Sequence, residues 1–104
     1  MATKTYNWGI IGCGLISSDF SKALLKSSRS KIVACAARKL EKAQQFAKDF
    51  GIPLINAYSS YDDVCTNPNV DVVYVGTIHP MHCKSVLTAL KNKKHVLCEV
   101  NYVR

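Results

Sequence analysis

The chain has 104 residues, of which 48% are hydrophobic and 20% are charged, and its formal net charge is +7 at pH 7. This length predicts one domain with a buried core, and no apolar run is long enough to span a membrane. The positive charge predicts an anionic partner or a solvated basic surface. Because the lysines are scattered without interleaved aromatic residues, the pattern argues against nucleic acid.

The five cysteines are widely spaced and form no Cys-x-x-Cys pair. This spacing is typical of neither a disulfide framework nor a zinc site, and most of the cysteines are expected to be small buried side chains. The first residues carry no apolar signal-peptide core. We therefore expect a protein of the reducing cytosol.

The hydrophobic pattern alternates between strands and helices along the chain. The predicted elements are strands over Tyr6–Cys13, Lys31–Ala37, Leu54–Ala57, Val70–Gly76 and His95–Cys98, helices over Leu15–Lys26 and Leu40–Phe50, a short helix opened by a capping box at Ser59–Asp62, and a helix beginning at Pro80. Repeated β-α-β units predict an α/β fold, a doubly wound parallel sheet of the Rossmann type with right-handed crossovers.

The most informative motif is Gly12-Cys13-Gly14, which follows a buried strand and precedes an amphipathic helix. Such a loop brings backbone N–H groups up to a pyrophosphate, so Gly12, Cys13, Gly14, Leu15 and Ile16 are predicted to bind a dinucleotide. The third glycine of the usual motif is Ser17 here, a residue small enough for close packing of helix on strand. The alternative interpretation is a purely structural turn.

The second strand is followed by Arg38 and Lys39. Proteins that bind NAD usually place an acidic residue at this point to hold the ribose 2′-hydroxyl, and the first acid here is Glu41. Two cations at a helix N-terminus oppose the helix dipole, and a bound 2′-phosphate would remove that conflict. The pattern predicts NADP rather than NAD; the alternative is two solvated cations.

The fourth and fifth strands are followed by polar residues that would meet the same edge of the sheet. Thr77 and His79 are candidates for contact with the nicotinamide ribose, His82 for a cofactor contact or a packed helix residue, and Glu99 for the rim of the site. His79 and His82 could also be considered as metal ligands. They straddle the predicted helix start and no third ligand is evident, so no metal is predicted.

Four stretches together resemble the N-terminal domain of the Gfo/Idh/MocA oxidoreductase family. They are residues 8–20, Ala36-Ala37-Arg38, residues 74–82 and Val96-Leu97-Cys98-Glu99. The resemblance implies an NADP-dependent dehydrogenase that moves a hydride between NADP and a sugar or a trans-dihydrodiol. It also implies that Arg38 contacts the 2′-phosphate, that Thr77, His79 and His82 lie near the nicotinamide ribose, and that Glu99 begins the family's Glu-Lys-Pro motif.

The resemblance fails immediately after Glu99, because the family's active-site lysine is Val100 here. Residues 1–99 are interpreted as the NADP-binding domain and 100–104 as a divergent tail. The substrate domain, through which the family forms homodimers, would be absent, so we expect a C-terminally truncated chain that is inactive alone. The alternatives are a non-catalytic NADP-binding or interaction module, and a fragment that folds poorly.

Overall fold

The computed structural model describes residues 5–27, 29–76 and 86–98. Its elements in chain order are β1 (Tyr6–Ile11), α1 (Leu15–Leu24), β2 (Ser30–Ala36), α2 (Leu40–Phe50), a 3₁₀ turn (Leu54–Asn56), β3 (Ala57–Tyr58), α3 (Tyr61–Thr66), β4 (Val72–Val75) and β5 (His95–Cys98). Residues 86–91 are also helical.

The five strands form one parallel sheet in the order β3-β2-β1-β4-β5. β1 is the central strand, paired on one side with β2 and on the other with β4. The chain runs outward from β1 through β2 to β3 and then crosses to β4 on the other side of β1, so the topological switch point of this doubly wound α/β sheet lies between β1 and β4. The predicted Rossmann-type architecture is therefore confirmed.

Apolar side chains are buried on both faces of the sheet, as expected when helices cover a parallel sheet on both sides. On one face Ile10 packs in a cluster with Phe46 of α2 and Tyr74 of β4. On the other face Ile11 packs in a second cluster with Val64 of α3. Consecutive side chains of β1 thus point to opposite faces of the sheet, which follows from the two-residue period of a strand.

The N-terminal part of α1 presents small side chains to the sheet. Ser17 and Ser21 are wholly buried, whereas Ala23 is exposed. A Cβ atom added at Gly76 would collide with the Ser17 hydroxyl. The absent side chain at Gly76 therefore makes room for Ser17, which occupies the position of the usual third glycine.

The predicted third strand was wrong over most of its length. Leu54–Asn56 forms a 3₁₀ turn after Pro53, with the Asn56 N–H donating to the Pro53 carbonyl at 2.9 Å, and only Ala57 and Tyr58 pair with β2. Ile55 is 84% exposed, so an apolar pair of residues here does not mark a buried strand.

The short helix α3 begins after Ser60, where the sequence predicts a helix start, but its cap differs from the predicted capping box. No side-chain hydrogen bond caps it. Instead, Asp62 and Asp63 lie in its first turn, where negative charge complements the helix dipole.

Gly9 in the middle of β1 lies directly under α3. A Cβ at this position would collide with Cγ1 of Val64 and approach Val70 at 3.2 Å. We expect Gly9→Ala to destabilise the fold by about 1–3 kcal/mol, the usual cost of overpacking a core. Denaturant unfolding would measure it.

The second-site variant Gly9→Ala/Val64→Ala should lose less stability than the sum of the two single variants, because the added methyl fills the space vacated by valine. Gly14→Ala is the matched control. No described atom lies within 4 Å of a Cβ there, so the free energy of unfolding should fall only by the roughly 0.5–1 kcal/mol of an exchanged N-cap residue, and Val64→Ala should not change that loss. Strict additivity of the two changes would contradict this packing.

Candidate functional site

The loop between β1 and α1 turns sharply at Gly12, whose φ of 89° lies in the region that favours glycine. The Gly12 N–H donates to the carbonyl of Ala36 at the end of β2, at 2.9 Å. Gly14 is the N-cap of α1 and supplies no capping side chain, and the first turn of α1 contains no acid. The helix N-terminus therefore presents backbone N–H groups and positive potential without a competing carboxylate.

A cleft of about 640 Å³ opens in front of this loop, at the carboxyl ends of β1 and β2. Its lining residues are Gly12, Cys13, Gly14, Ala37, Arg38, Lys39, Lys42 and Tyr61. Five predicted site residues, those of the glycine loop and the Arg38-Lys39 pair, thus lie around one cavity. None of these lining residues is acidic.

The structure describes the remaining predicted site residues only in part or not at all. Leu15 and Ile16 form the first turn of α1, but their side chains are outside the described part of the structure. Thr77, His79, His82 and Glu99 lie outside the described residues, as does Val100. Their predicted roles near the nicotinamide remain predictions.

One end of the cleft carries three cationic side chains at the start of α2. Lys39 is the N-cap of that helix without a capping side-chain hydrogen bond, and Lys42 follows one turn later. Arg38, Lys39 and Lys42 are all exposed. Three positive charges therefore gather where the helix dipole is also positive, an arrangement that favours a bound anion.

Sequence analysis missed three lining residues of this cleft, Ala37, Lys42 and Tyr61, of which Lys42 and Tyr61 carry polar side-chain groups. The signal for Lys42 was its spacing: residues three apart lie on the same helix face, so Lys42 belongs with Lys39. The signal for Tyr61 was its place just after β3, the strand next to β2 in the sheet.

Tyr61 brings a protonated phenol to the cationic end of the cleft. Burial raises the pKa of its hydroxyl above the ordinary value of 10.0, and the nearby positive charge of Arg38 partly opposes that rise. The Tyr61 O–H is therefore a neutral hydrogen-bond donor at neutral pH.

Two thiols meet beneath the glycine loop. The Cys13 thiol donates to the Ala36 carbonyl at 3.4 Å, and the Cys35 thiol donates to the Ala43 carbonyl at 3.4 Å. Each of the two thiols shifts the pKa of the other, with Cys35 lowered and Cys13 raised. Cys13, Cys35 and Cys65 are not in disulfides; the predicted burial is confirmed for Cys35 and Cys65, while Cys13 is half-buried.

Within residues 5–27, 29–76 and 86–98, no three His, Cys, Asp or Glu side chains lie close enough to hold a metal ion together. The described helices include none of the length and apolarity that crossing a membrane requires.

A parallel doubly wound sheet with a glycine loop and a cationic cleft at its switch point defines a nucleotide-binding Rossmann domain. The family model for the oxidoreductase family with an NAD-binding Rossmann fold, Gfo/Idh/MocA, matches residues 6–100. The chain belongs to this family.

Similar curated proteins carry the name trans-1,2-dihydrobenzene-1,2-diol dehydrogenase. The one from Xenopus tropicalis is 50% identical over 101 residues, which are 95% of this chain and 29% of the relative. The one from Mus musculus is 48% identical over 94 residues, which are 88% of this chain and 28% of the relative. The chain thus spans less than a third of the length of these relatives.

Solved structures give the same fold. A 3-ketoreductase from Actinomadura kijaniata in complex with NADP has a TM-score of 0.83 and 28% identity, over 91% of this chain and 30% of that one. A scyllo-inositol dehydrogenase from Lactobacillus casei has a TM-score of 0.87 at 23% identity, over 96% of this chain and 29% of that one, and shows the fold alone.

The electrostatic effect of Arg38 on the Tyr61 phenol can be tested without any ligand. Because the folded-state pKa of Tyr61 is raised, its contribution to stability is full below the unfolded pKa and is lost as the pH rises through the folded pKa. In a spectrophotometric titration, Tyr61→Phe should remove one phenol that ionises above pH 10.0.

Arg38→Ala should move that same ionisation to still higher pH, because it removes the charge that favours phenolate. The variant Lys48→Ala, in the last turn of α2 and away from the cleft, is the control and should leave it unchanged. An Arg38→Ala curve that superimposes on the wild-type curve would show that the two side chains do not interact.

Proposed function

We propose that this chain binds NADP, with the pyrophosphate at the glycine loop and the 2′-phosphate at Arg38, Lys39 and Lys42. The observation that carries the proposal is that these three cations line the same cleft as the glycine loop. Charge-assisted hydrogen bonds from Arg and Lys are the usual means of holding a phosphate.

The cleft fits a phosphorylated dinucleotide in two further respects. The backbone at Gly14 is open to the cavity, since nothing lies within 4 Å of the position a Cβ would take. Among the described residues, the lining includes no carboxylate to hold a ribose 2′-hydroxyl or to repel a 2′-phosphate. The structure of the related 3-ketoreductase contains NADP, which also supports this choice.

Within the site, this chain's residues would bind the cofactor and orient it. Backbone N–H groups at the start of α1 would donate hydrogen bonds to the pyrophosphate. The cations at the start of α2 would bind the 2′-phosphate at the adenosine end, and the Tyr61 hydroxyl would donate to that 2′-phosphate. The cofactor, when bound, supplies or accepts a hydride. Residues 1–99 are proposed as the NADP-binding domain and 100–104 as a divergent tail.

We propose that the activity served is the NADP-dependent oxidation of a trans-dihydrodiol or a sugar, as in the family that the chain resembles. The support is 50% identity to a named dihydrodiol dehydrogenase. Proton transfer to or from a substrate hydroxyl needs a positioned acid or base. Because position 100 is Val where the resemblance implies Lys, residues 1–104 alone are proposed to bind cofactor without turnover.

A second candidate function is a non-catalytic NADP-binding module, favoured by the same Val100. The two are separated by the variant Val100→Lys joined to the C-terminal part of a related dehydrogenase. Dihydrodiol oxidation restored in that chimera supports the enzyme; cofactor binding without any oxidation supports the module.

With its cysteines kept as thiols, the chain should bind NADPH at least about tenfold more tightly than NADH, a difference of about 1.4 kcal/mol in binding free energy. The reason is that only NADPH offers a 2′-phosphate to the three cations. Isothermal titration with both cofactors measures the two dissociation constants, and a thermal melt that rises with NADPH shows that the folded chain is the binding form. Equal affinities would refute the preference.

Lys42→Glu should weaken NADPH binding by about tenfold or more and change NADH binding much less, since a charged hydrogen bond contributes about 1.5–3 kcal/mol. Lys48→Glu makes the same charge change on the same helix, away from the cleft, and is the matched control. If Lys48→Glu weakens NADPH equally, overall charge rather than a 2′-phosphate contact explains the effect.

A further inference from the structure

The two thiols beneath the glycine loop belong to segments that the sheet brings together. Ile10 and Ile11 of β1 pair with Cys35 and Ala36 of β2, so the loop that leaves β1 passes beside the end of β2. The Cys13 side chain packs against the core cluster that contains Cys35, and its thiol lies 3.4 Å from the carbonyl of Ala36, the residue that follows Cys35. Twenty-two positions separate them in sequence, but they are neighbours in the fold.

The two cysteines differ in their access to solvent. Cys13 lines the cofactor cleft and is half-buried, whereas Cys35 is wholly buried. A small oxidant that enters the cleft therefore reaches Cys13 first. Cys65 is also wholly buried, but it belongs to the cluster on the opposite face of the sheet and cannot join the pair.

The two thiols shift each other's ionisation. Interaction with Cys13 lowers the pKa of Cys35, whereas interaction with Cys35 and burial raise the pKa of Cys13. Cys35 is therefore the first of the two to ionise, and its thiolate is the base that accepts the Cys13 proton when the Cys13 sulfur attacks an oxidant. A thiolate, rather than a thiol, is the form that oxidants attack.

We propose that Cys13 and Cys35 are a redox modification site. Peroxide converts the two thiols to a reversible disulfide, and the disulfide prevents the dinucleotide from binding at the glycine loop. Sγ of Cys13 attacks one peroxide oxygen, the O–O bond breaks, and a sulfenic acid and water form. Sγ of Cys35 then attacks Sγ of Cys13 and displaces the hydroxyl as a second water. Two thiols are oxidised and one peroxide is reduced; an added dithiol reverses the bond by exchange.

The disulfide changes the loop because its sulfurs stand about 2.05 Å apart, closer than any hydrogen-bonded pair of thiols. Cys13 must leave the Ala36 carbonyl and draw the backbone of Gly12 and Gly14 towards β2. A pyrophosphate needs that backbone in place, so oxidation and cofactor binding oppose each other, and the coupling is reciprocal. This regulatory half of the proposal rests on the proposed NADP site; the disulfide itself does not.

The first experiment tests the bond alone. The reduced chain is treated with hydrogen peroxide, alkylated, digested and analysed by mass spectrometry, in a background with Cys83→Ser and Cys98→Ser. We expect one peptide pair joined through Cys13 and Cys35, lost on treatment with dithiothreitol. Cys65→Ser should leave the joined pair intact, and the Cys65 thiol, whose pKa is raised to about 11 by burial, should remain unmodified.

Cys35→Ser keeps a donor for the Ala43 carbonyl and should abolish the joined peptides, leaving Cys13 as a sulfenic or sulfinic acid. Cys35→Ala serves if the serine variant does not fold. Oxidation of wild-type Cys13 to sulfinic acid without a cross-link, or a cross-link between other cysteines, would overturn the proposal.

The second experiment tests the effect on the site. Oxidised wild-type chain should bind NADPH at least about tenfold more weakly than reduced chain, with recovery in dithiothreitol, while oxidation of Cys35→Ser should produce a smaller change. Bound NADPH should slow formation of the joined peptides by a similar factor. If reduced chain fails to bind NADPH, the proposed function fails and the disulfide result stands; if oxidised and reduced chains bind equally, the regulatory half is wrong.

Discussion

The central position of β1 is the constraint on which the rest of the structure depends. Its backbone pairs with β2 on one side and β4 on the other, and two hydrogen bonds extend this pairing beyond its end: Gly12 N–H to Ala36, and Gly76 N–H to Ile11. These bonds fix where the glycine loop leaves the sheet. The start of α1, the residues after β2 and Gly76 after β4 therefore meet at one edge.

Close packing against this strand requires small side chains at three places. Gly9 admits Val64 from one face, while Ser17 and Gly76 meet beyond the carboxyl end of the strand. Serine in place of the usual third glycine therefore causes no clash, because Gly76 has no side chain and leaves room for the Ser17 hydroxyl. The glycine loop keeps its position although its motif is degenerate, which explains how a weak sequence signal can accompany a well-formed cleft.

The sheet, the glycine loop and the Arg38-Lys39 pair could be predicted because each depends on a local sequence pattern. Alternating strand and helix periods determine the fold class, and Arg38 and Lys39 directly follow a strand, so their place at the sheet edge follows from topology. Tyr61 could not be assigned to the cleft in this way. The position of Tyr61 depends on where β3 begins and ends. Leu54 and Ile55, which the sequence predicts as strand residues, form a turn with exposed side chains instead. The proximity of Cys13 and Cys35 depends on strand register, which an apolar run does not specify.

The contact between Gly9 and Val64 also limits how this sequence can change over evolutionary time. Any larger residue at position 9 meets a buried valine methyl, so enlargement there becomes tolerable only after position 64 has become smaller. The order of substitutions matters, although both orders lead to the same pair. Positions 9 and 64, 55 residues apart in sequence, should therefore covary in side-chain volume among homologues that share this sheet.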